Sequence, residues 1–229
     1  MILAMHSSPQ PEGNLERMVN VVAQASGLEH EIIRLAEMEI APCTGCVRCA
    51  RSKRCVQQDD MAPMYQKLES ARGLIVGGVN YNGRFNSIAH IFLERLFPLY
   101  HQKPALRGLP VAVVAVGGEE PERAGMDMMV YLKEIWMCSP VGMVLFKSDT
   151  PPCFSCGLGP DCPVGMPALH WPKGEFQAFT CVRNKMFQRF EDNPDAVAGC
   201  ERLGKSLRMS VQEGFPRPRS GGGFYLPFS

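Results

Sequence analysis

The sequence predicts an α/β fold, a doubly wound sheet of five parallel strands flanked by helices. Two near-continuous apolar runs, GLIVGGVN (73–80) and LPVAVVAVGG (109–118), have the character of strands buried on both faces. Stretches of helical period alternate with strand-like runs through the first two thirds of the chain. Glycines lie toward the carboxyl end of both buried runs, where open α/β sheets bind their ligands.

The elements follow in order. Ile2 to Met5 is a short apolar run; after SSPQPEGN, residues Leu15, Met18, Val19, Val22 and Ala23 recur at helical spacing. HEIIRLA (30–36) is the second strand, and Asp59 or Asp60 is placed to cap a helix through Met64 and Leu68. After the third strand, Ser87 is placed to cap a helix bearing Ile88, Ile91, Phe92, Arg95 and Leu96. A helix from about 124 to 137 and the run GMVLFKS (142–148) complete the alternation. Beyond Ser148, prolines, glycines and three cysteines leave neither helix nor strand to be expected until helix formers return over about 175–213, interrupted near Asn193 and Pro194.

With 229 residues, 45% of them hydrophobic, the chain fits one domain. Residues 1–148 form the α/β body, and 149–229 are a Cys/Pro/Gly-rich loop, helices and a terminal arm packed on it. Lysine plus arginine (24) nearly balance aspartate plus glutamate (23), so no field of one sign points to nucleic acid or an anionic membrane as partner. No signal-peptide pattern opens the sequence, and no segment approaches the roughly 18 unbroken apolar residues of a membrane span. A cytoplasmic protein is expected, and in that reducing setting ten cysteines point to metal or redox chemistry before disulfides.

Three loops should meet at the carboxyl edge of the sheet. In HSSPQPEGNL, Ser8, Gln10, Asn14 and the amide of Leu15 are candidates to surround a phosphate at a helix N-terminus, where unpaired amides and the helix dipole favour an anion. GGVNYNGRFNS offers Val79, Asn80, Tyr81 and Asn82, and GGEE offers Gly117 and Gly118, whose missing side chains let a flat ring lie against backbone. The first loop resembles the GSPRxxGNT phosphate loop of the flavodoxin-like FMN reductases, and the second resembles their GSPVYxxxxS loop, which lines the isoalloxazine. The resemblance implies FMN and the strand order 2-1-3-4-5. Departures are visible: Ser7 stands where Gly is usual, Gln10 for Arg, Leu15 for Thr or Ser, and Gly78, Val79 and Asn80 for Ser, Pro and Val. An empty α/β fold with tight turns is the alternative.

Cys43, Cys46, Cys49 and Cys55 are spaced C-x2-C-x2-C-x5-C, with Gly45 letting the chain turn back. Closely spaced cysteines on an irregular loop supply the converging thiolates of an iron–sulfur cluster, whereas structural zinc more often uses two separated pairs. Arg48, Arg51, Lys53 and Arg54 lie among them and offset thiolate charge. With the flavin loops beside it, the motif is similar to that of the iron–sulfur flavoprotein family, over about residues 2–148 and including the DDM after the last cysteine. That resemblance implies a [4Fe-4S] cluster between the second strand and second helix, near the FMN of another subunit, and hence a homodimer or homotetramer.

Cys153, Cys156 and Cys162 are candidate ligands of a second metal, iron–sulfur or zinc, with Cys138, Cys181 or His170 as a fourth; three inert thiols are the alternative. Cys200 reads as core. His6, His30, His90 and His101 have no partner at ligand spacing and receive no role. The stripe MDMMVYLKEIWM reads as core or subunit interface, and Trp171, Phe224, Tyr225 and Phe228 as candidate covers for a neighbour's flavin.

The expected function is an oxidoreductase that takes electrons from a carrier such as ferredoxin through the cluster to FMN and on to a small-molecule acceptor. No side chain stands out as a catalytic acid, base or nucleophile. The rivals are an NAD(P)H-dependent FMN or quinone reductase with structural zinc, and a thiol- or metal-responsive scaffold that is not an enzyme.

Overall fold

The structure is a computed structural model that describes residues 1–102, 104–148 and 150–214. The aromatic arm with Phe224, Tyr225 and Phe228 lies outside the described residues. Strands β1 (Ile2–His6), β2 (His30–Arg34), β3 (Leu74–Tyr81), β4 (Arg84–Phe85), β5 (Pro110–Gly117) and β6 (Ser139–Lys147) form one sheet. Its main path runs β2-β1-β3-β5-β6, all parallel, and β4 pairs antiparallel with the end of β3. The five expected strands are present, and β4 is a sixth that the sequence reading did not anticipate. Asn82 and Gly83 both take positive φ, so the stretch VNYNGRF turns back on itself as a tight hairpin.

Helices α1 (Asn14–Ser26), α2 (Cys49–Ser52), α3 (Met61–Ser70), α4 (Ser87–Glu94), α5 (Pro121–Glu134), α6 (Met166–His170), α7 (Lys173–Ala178) and α8 (Pro194–Gln212) complete the fold. Side chains alternate along β1, so Ile2 and Ala4 face α1 and α8 while Leu3 and Met5 face α3, α4 and α5. The two faces of the sheet therefore carry separate cores. One joins Met64, Leu68, Phe92 and Met128 to the sheet, and the other Leu15, Val19, Val22, Leu203 and Leu207. The central strands β3 and β5 contribute to both, which is why they read as unbroken apolar runs.

Several expected boundaries move for local reasons. Helix α5 begins at Pro121 rather than near 124, because proline at the first helical position has its φ preset and no amide to leave unpaired, and it stops at Glu134. The N-cap of α4 is Asn86 rather than Ser87, and its amide group is used elsewhere. Asp60 occupies the N-cap of α3 without capping it through its side chain; the neighbouring Asp59 accepts from the Met61 amide at 3.2 Å. The stretch after Ser148, expected to lack helix, holds α6 and α7. Prolines open both: Pro167 lies in the first turn of α6 and Pro172 is the N-cap of α7. The interruption near Asn193 and Pro194 is the start of α8, where the Asn193 side chain accepts from the Ala196 amide at 3.1 Å.

Helix α8 joins the C-terminal extension to the body. It lies along α1 and against β6, with Cys200 fully buried as the sequence suggests. The helices approach so closely at Gly204 that a Cβ there would stand 2.4 Å from the Val22 carbonyl oxygen and 2.8 Å from Ala25 Cβ. Those neighbours are backbone and a short side chain, which cannot swing aside. Gly204→Val is expected to destabilise the chain by about 1–3 kcal/mol through overpacking, read as a lower urea midpoint in one cooperative transition. A separate early transition for α8, with the body unaffected, would show that the extension is not part of this core.

Candidate functional site

Parallel strands place all three loops at one edge, and hydrogen bonds between them interlock that edge. The Asn86 amide donates to the Ser7 carbonyl at 2.8 Å, tying the third-strand loop to the first. Asn80 donates to the Glu119 carbonyl, tying the β3–β4 hairpin to the loop after β5. A Cβ on Gly117 would stand 2.6 Å from Asn80 Cβ, so glycine is what allows that approach. Arg34, at the end of β2, donates to the Pro9 carbonyl at 2.9 Å and to the Ser8 carbonyl at 3.4 Å.

The candidate phosphate-loop residues have different fates. Ser8 is buried and spends its hydroxyl on the Gln10 carbonyl at 2.7 Å, while the Gln10 side chain is exposed. The Leu15 side chain is in the core. Asn14 turns to the extension: its amide donates to the Gln188 carbonyl at 2.9 Å and its oxygen accepts from the Phe190 amide at 3.1 Å. Arg17 reinforces that contact by pairing with Glu191 at 2.5 Å, which holds the Glu191 carboxyl below its ordinary value. Between loop and extension lies a cleft of about 340 Å³ lined by Gly13, Asn14, Arg17, Thr150, Phe187 and Arg189.

In the other two loops, Val79 packs against the core, Tyr81 stands exposed on the hairpin and Asn82 forms its turn. Gly117 is buried and Gly118 exposed. The same edge holds buried polar atoms without a partner among the described residues: both ring nitrogens of His6, Ser7 Oγ, Asn80 Oδ1 and Asn86 Oδ1. Buried polar groups are seldom left unpaired, so this concentration fits a polar ligand such as the expected FMN.

The four cysteines of the first motif line one cavity of about 50 Å³, with Thr44, Gly45, Glu94 and Arg95 among its other walls. Cys43 and Cys46 are exposed, Cys55 half-buried and Cys49 buried. Burial pushes the Cys49 thiol up, and the charges of Cys55, Cys46 and Cys43 push the same way. Thiolates brought together around one cluster would repel one another and require compensating positive charge. The Arg48 amide and then the Thr44 hydroxyl hold the Cys46 thiol below its ordinary value.

Arg48, Arg51, Lys53 and Arg54 are all exposed, and the charge of Arg48 helps hold the Cys46 thiol down; the buried side of the loop is arranged differently. The cation there is Arg95, 1% exposed, which the sequence reading placed only as one residue of a helix stripe. Its guanidinium grips Asp59 at 2.5 and 2.9 Å and donates to the Ala41 carbonyl at 2.6 Å. It also approaches Cys55 Sγ at 3.5 Å. Burial alone would push the Asp59 carboxyl up, but Arg95 and the amides of Ala41 and Met61 hold it below its ordinary value. An arginine inside an apolar stripe, with an aspartate after the last cysteine, was the available signal.

In the second cysteine group, Cys153 Sγ accepts from the Met166 amide at 3.2 Å and the Cys156 thiol donates to the Cys153 carbonyl at 3.1 Å. Cys162 sits beside Gly165 in the same knot. Phe154, next to Cys153, packs edge to face or tilted with Trp171, Phe179 and Phe187. Cys138 is buried in the core and its thiol is pushed up to about 12, while Cys181 is exposed. Among the described residues, no three His, Cys, Asp or Glu side chains converge closely enough for a single metal ion. No described helix is long and apolar enough to cross a membrane.

Comparison with known proteins agrees with this geometry. Residues 1–149 match the family described as NADPH-dependent FMN reductase. An iron–sulfur flavoprotein of Methanosarcina thermophila is 28% identical over 139 residues, covering 59% of this chain and 72% of that protein. One from Archaeoglobus fulgidus is 31% identical over 140 residues, covering 59% of this chain and 63% of that protein, just under two thirds of its length. Among solved structures, RosB with its bound intermediate 8-demethyl-8-formylriboflavin-5'-phosphate superposes with a TM-score of 0.60 at 14% identity. That match covers 95% of this chain and 82% of RosB, and shows the shared fold.

The buried pair makes a stability prediction. Arg95→Met leaves the Asp59 carboxylate nearly buried without its partner and is expected to cost about 3–5 kcal/mol, whereas Arg95→Met with Asp59→Leu should recover most of that loss. The Asp59 carboxyl is lowered on folding, so its contribution is complete above the ordinary carboxylate value. It is lost as pH falls through the lower folded value. Asp59→Asn should therefore flatten the acid limb of the stability–pH curve, measured by urea unfolding between neutral pH and pH about 3; an unchanged limb would remove Asp59 from the account.

Proposed function

The chain belongs to the NADPH-dependent FMN reductase family, whose members are FMN-dependent oxidoreductases, and from that premise we propose that it is an iron–sulfur flavoprotein. In this reading Cys43, Cys46, Cys49 and Cys55 hold a [4Fe-4S] cluster, and the three loops at the sheet edge hold FMN. One observation carries the reading: four cysteines of the motif line a single cavity against a buried guanidinium, on a fold of flavin-binding relatives. Zinc would need the same sulfurs about 2.3 Å from one point, while a cluster spreads its thiolates over several metal corners. When bound, the flavin supplies hydride or two-electron exchange and the cluster supplies one-electron transfer, so that together they divide electron pairs.

This chain's residues supply position and charge. Arg95 offsets the thiolates from the buried side and fixes Cys55 and the Ala41 backbone. Asn80, Asn86 and Arg34 hold the three loops in one arrangement before any ligand arrives. The donor is a one-electron carrier such as ferredoxin, and the acceptor a small molecule. A homodimer or homotetramer belongs to the same reading, supported by the exposed apolar side chains Met126, Val130 and Ile135 along α5 and its end.

Purification without oxygen, with flavin, iron, acid-labile sulfide and zinc measured on one sample, is expected to give about one FMN with about four irons and four sulfides per chain. About eight irons would put a second cluster in the Cys153, Cys156 and Cys162 knot, and Cys156→Ala would then lower total metal. Flavin with zinc and no sulfide would replace the cluster by a structural zinc site. Cys46→Ala should abolish the visible cluster absorption while flavin stays bound, and unchanged iron and sulfide in that variant would sink the ligand assignment.

A further inference from the structure

Arg95 has more hydrogen-bonding capacity than the protein uses. A guanidinium carries five N–H donors in one plane. Nη1 donates to the Ala41 carbonyl at 2.6 Å and to Asp59 Oδ2 at 2.5 Å, and Nη2 donates to Asp59 Oδ1 at 2.9 Å and to Cys55 Sγ at 3.5 Å. The fifth donor, on Nε, is buried and has no partner among the described residues. A buried cationic donor left unpaired is costly, which favours an acceptor beside it. Arg95 also lines the cavity shared by Cys43, Cys46, Cys49 and Cys55, the space that a group held by those cysteines would enter.

The other charges around this cavity differ in kind. Arg48, Arg51, Lys53 and Arg54 are exposed, as is Glu94 in the cavity wall, and water and salt screen them. The Arg95 side chain is 1% exposed and that of Asp59 13%. Screening is weak there, so this pair acts on nearby sulfur more strongly than the exposed charges do. The pair is also fixed in advance. Asp59 accepts from the Ala41 and Met61 amides, each at 3.2 Å, and the Tyr65 hydroxyl donates to the Arg95 carbonyl at 2.9 Å.

Resting on the cluster reading above, we propose that Arg95 is a tuning residue of the [4Fe-4S] site: its donors to sulfur and its fixed positive charge favour the reduced cluster, and Asp59 moderates that effect. An added electron makes the sulfurs more negative and so strengthens hydrogen bonds to them, one of the levers that set cluster potentials. One electron enters from the one-electron donor of that reading; no covalent bond forms or breaks and no proton moves. Because the two side chains carry opposite charges, their effects separate. Asp59→Asn removes the carboxylate charge but keeps an acceptor oxygen for Arg95, and raises the potential. Arg95→Met with Asp59→Leu removes the donors together with both charges, and lowers it. A pair that merely fixed the loop would not move the potential in opposite directions.

The test is a redox titration followed by electron paramagnetic resonance, with dithionite and mediators at one pH, on the full chain purified without oxygen. Iron and sulfide are counted first in the parent and in both variants. Expected is a change of about tenfold in the equilibrium constant for one-electron reduction, or about 59 mV, upward in Asp59→Asn and downward in the double variant. Should the double variant hold no iron, Asp59→Asn decides alone. A change of less than about twofold there, a downward change, or shifts of the same sign in both variants overturns the role of Arg95 while the cluster stands. A parent chain without iron and sulfide overturns the cluster reading and this proposal together.

Discussion

The cysteine loop depends on one buried ion pair. Residues 41–48 contain no regular structure, and their cysteines are mostly exposed, so hydrophobic burial cannot hold them in place. Arg95 does so from below. One guanidinium, carried at the end of α4, reaches the Ala41 backbone before the first cysteine, the Cys55 sulfur at the last and the Asp59 carboxylate beyond it. The start and end of the loop are thus fixed to the same rigid plane. Tyr65 of α3 donates to the Arg95 carbonyl at 2.9 Å, which couples that plane to the helix following the loop. A buried ion pair is a weak source of net stability, since desolvation consumes most of its Coulombic gain. Its value here lies in specificity, because any displaced register of the loop would leave a buried arginine unpaired.

The flavin edge follows the opposite arrangement. There the backbone is held by Asn86, Asn80 and Arg34 across three loops, and buried polar atoms of that edge have no partner among the described residues. Preorganisation of this kind reduces the ordering cost when a ligand binds. The extension contributes to the same edge: Asn14, Arg17 and Glu191 fasten residues 188–191 over the N-terminus of α1, while α8 packs along its length. Helix α1 is therefore held at its start by polar contacts and along its length by close apolar packing.

What was legible in the sequence was what is local. Residues 73–80 and 109–118 announce buried strands because both faces need apolar side chains, and the helical stripe of α1 survives intact in the structure. The cysteine motif was legible because its spacing is short. The hairpin at Asn82 and Gly83 carries a strong turn signal, but the same residues also suit a ligand loop, and nothing in the sequence alone separates the two. Arg95 was invisible as a site residue because its meaning is set by Asp59, 36 positions away. His6 was passed over for a related reason: its neighbours in sequence are ordinary, and only the fold reveals that neither nitrogen has a partner among the described residues.

Sheet topology accounts for the nearness of the two candidate sites. The phosphate loop leaves β1 and the cysteine loop follows β2, and these strands are hydrogen-bonded in parallel from Ile2 with His30 to His6 with Arg34. Adjacent strands lie about 4.8 Å apart, and parallel pairing sends both chains out at the same edge. Arg34 spans the gap at the strand ends, with its guanidinium on the Ser8 and Pro9 backbone and its own chain leading toward Ala41. A shift in β2 register would move the cysteine loop relative to the flavin loop. Their relative placement is consequently a property of the β1–β2 ladder, and the irregular segment between ladder and cysteines is pinned by Arg95 on the Ala41 carbonyl and by Asp60 and Asp59 on the Glu39 and Ala41 amides.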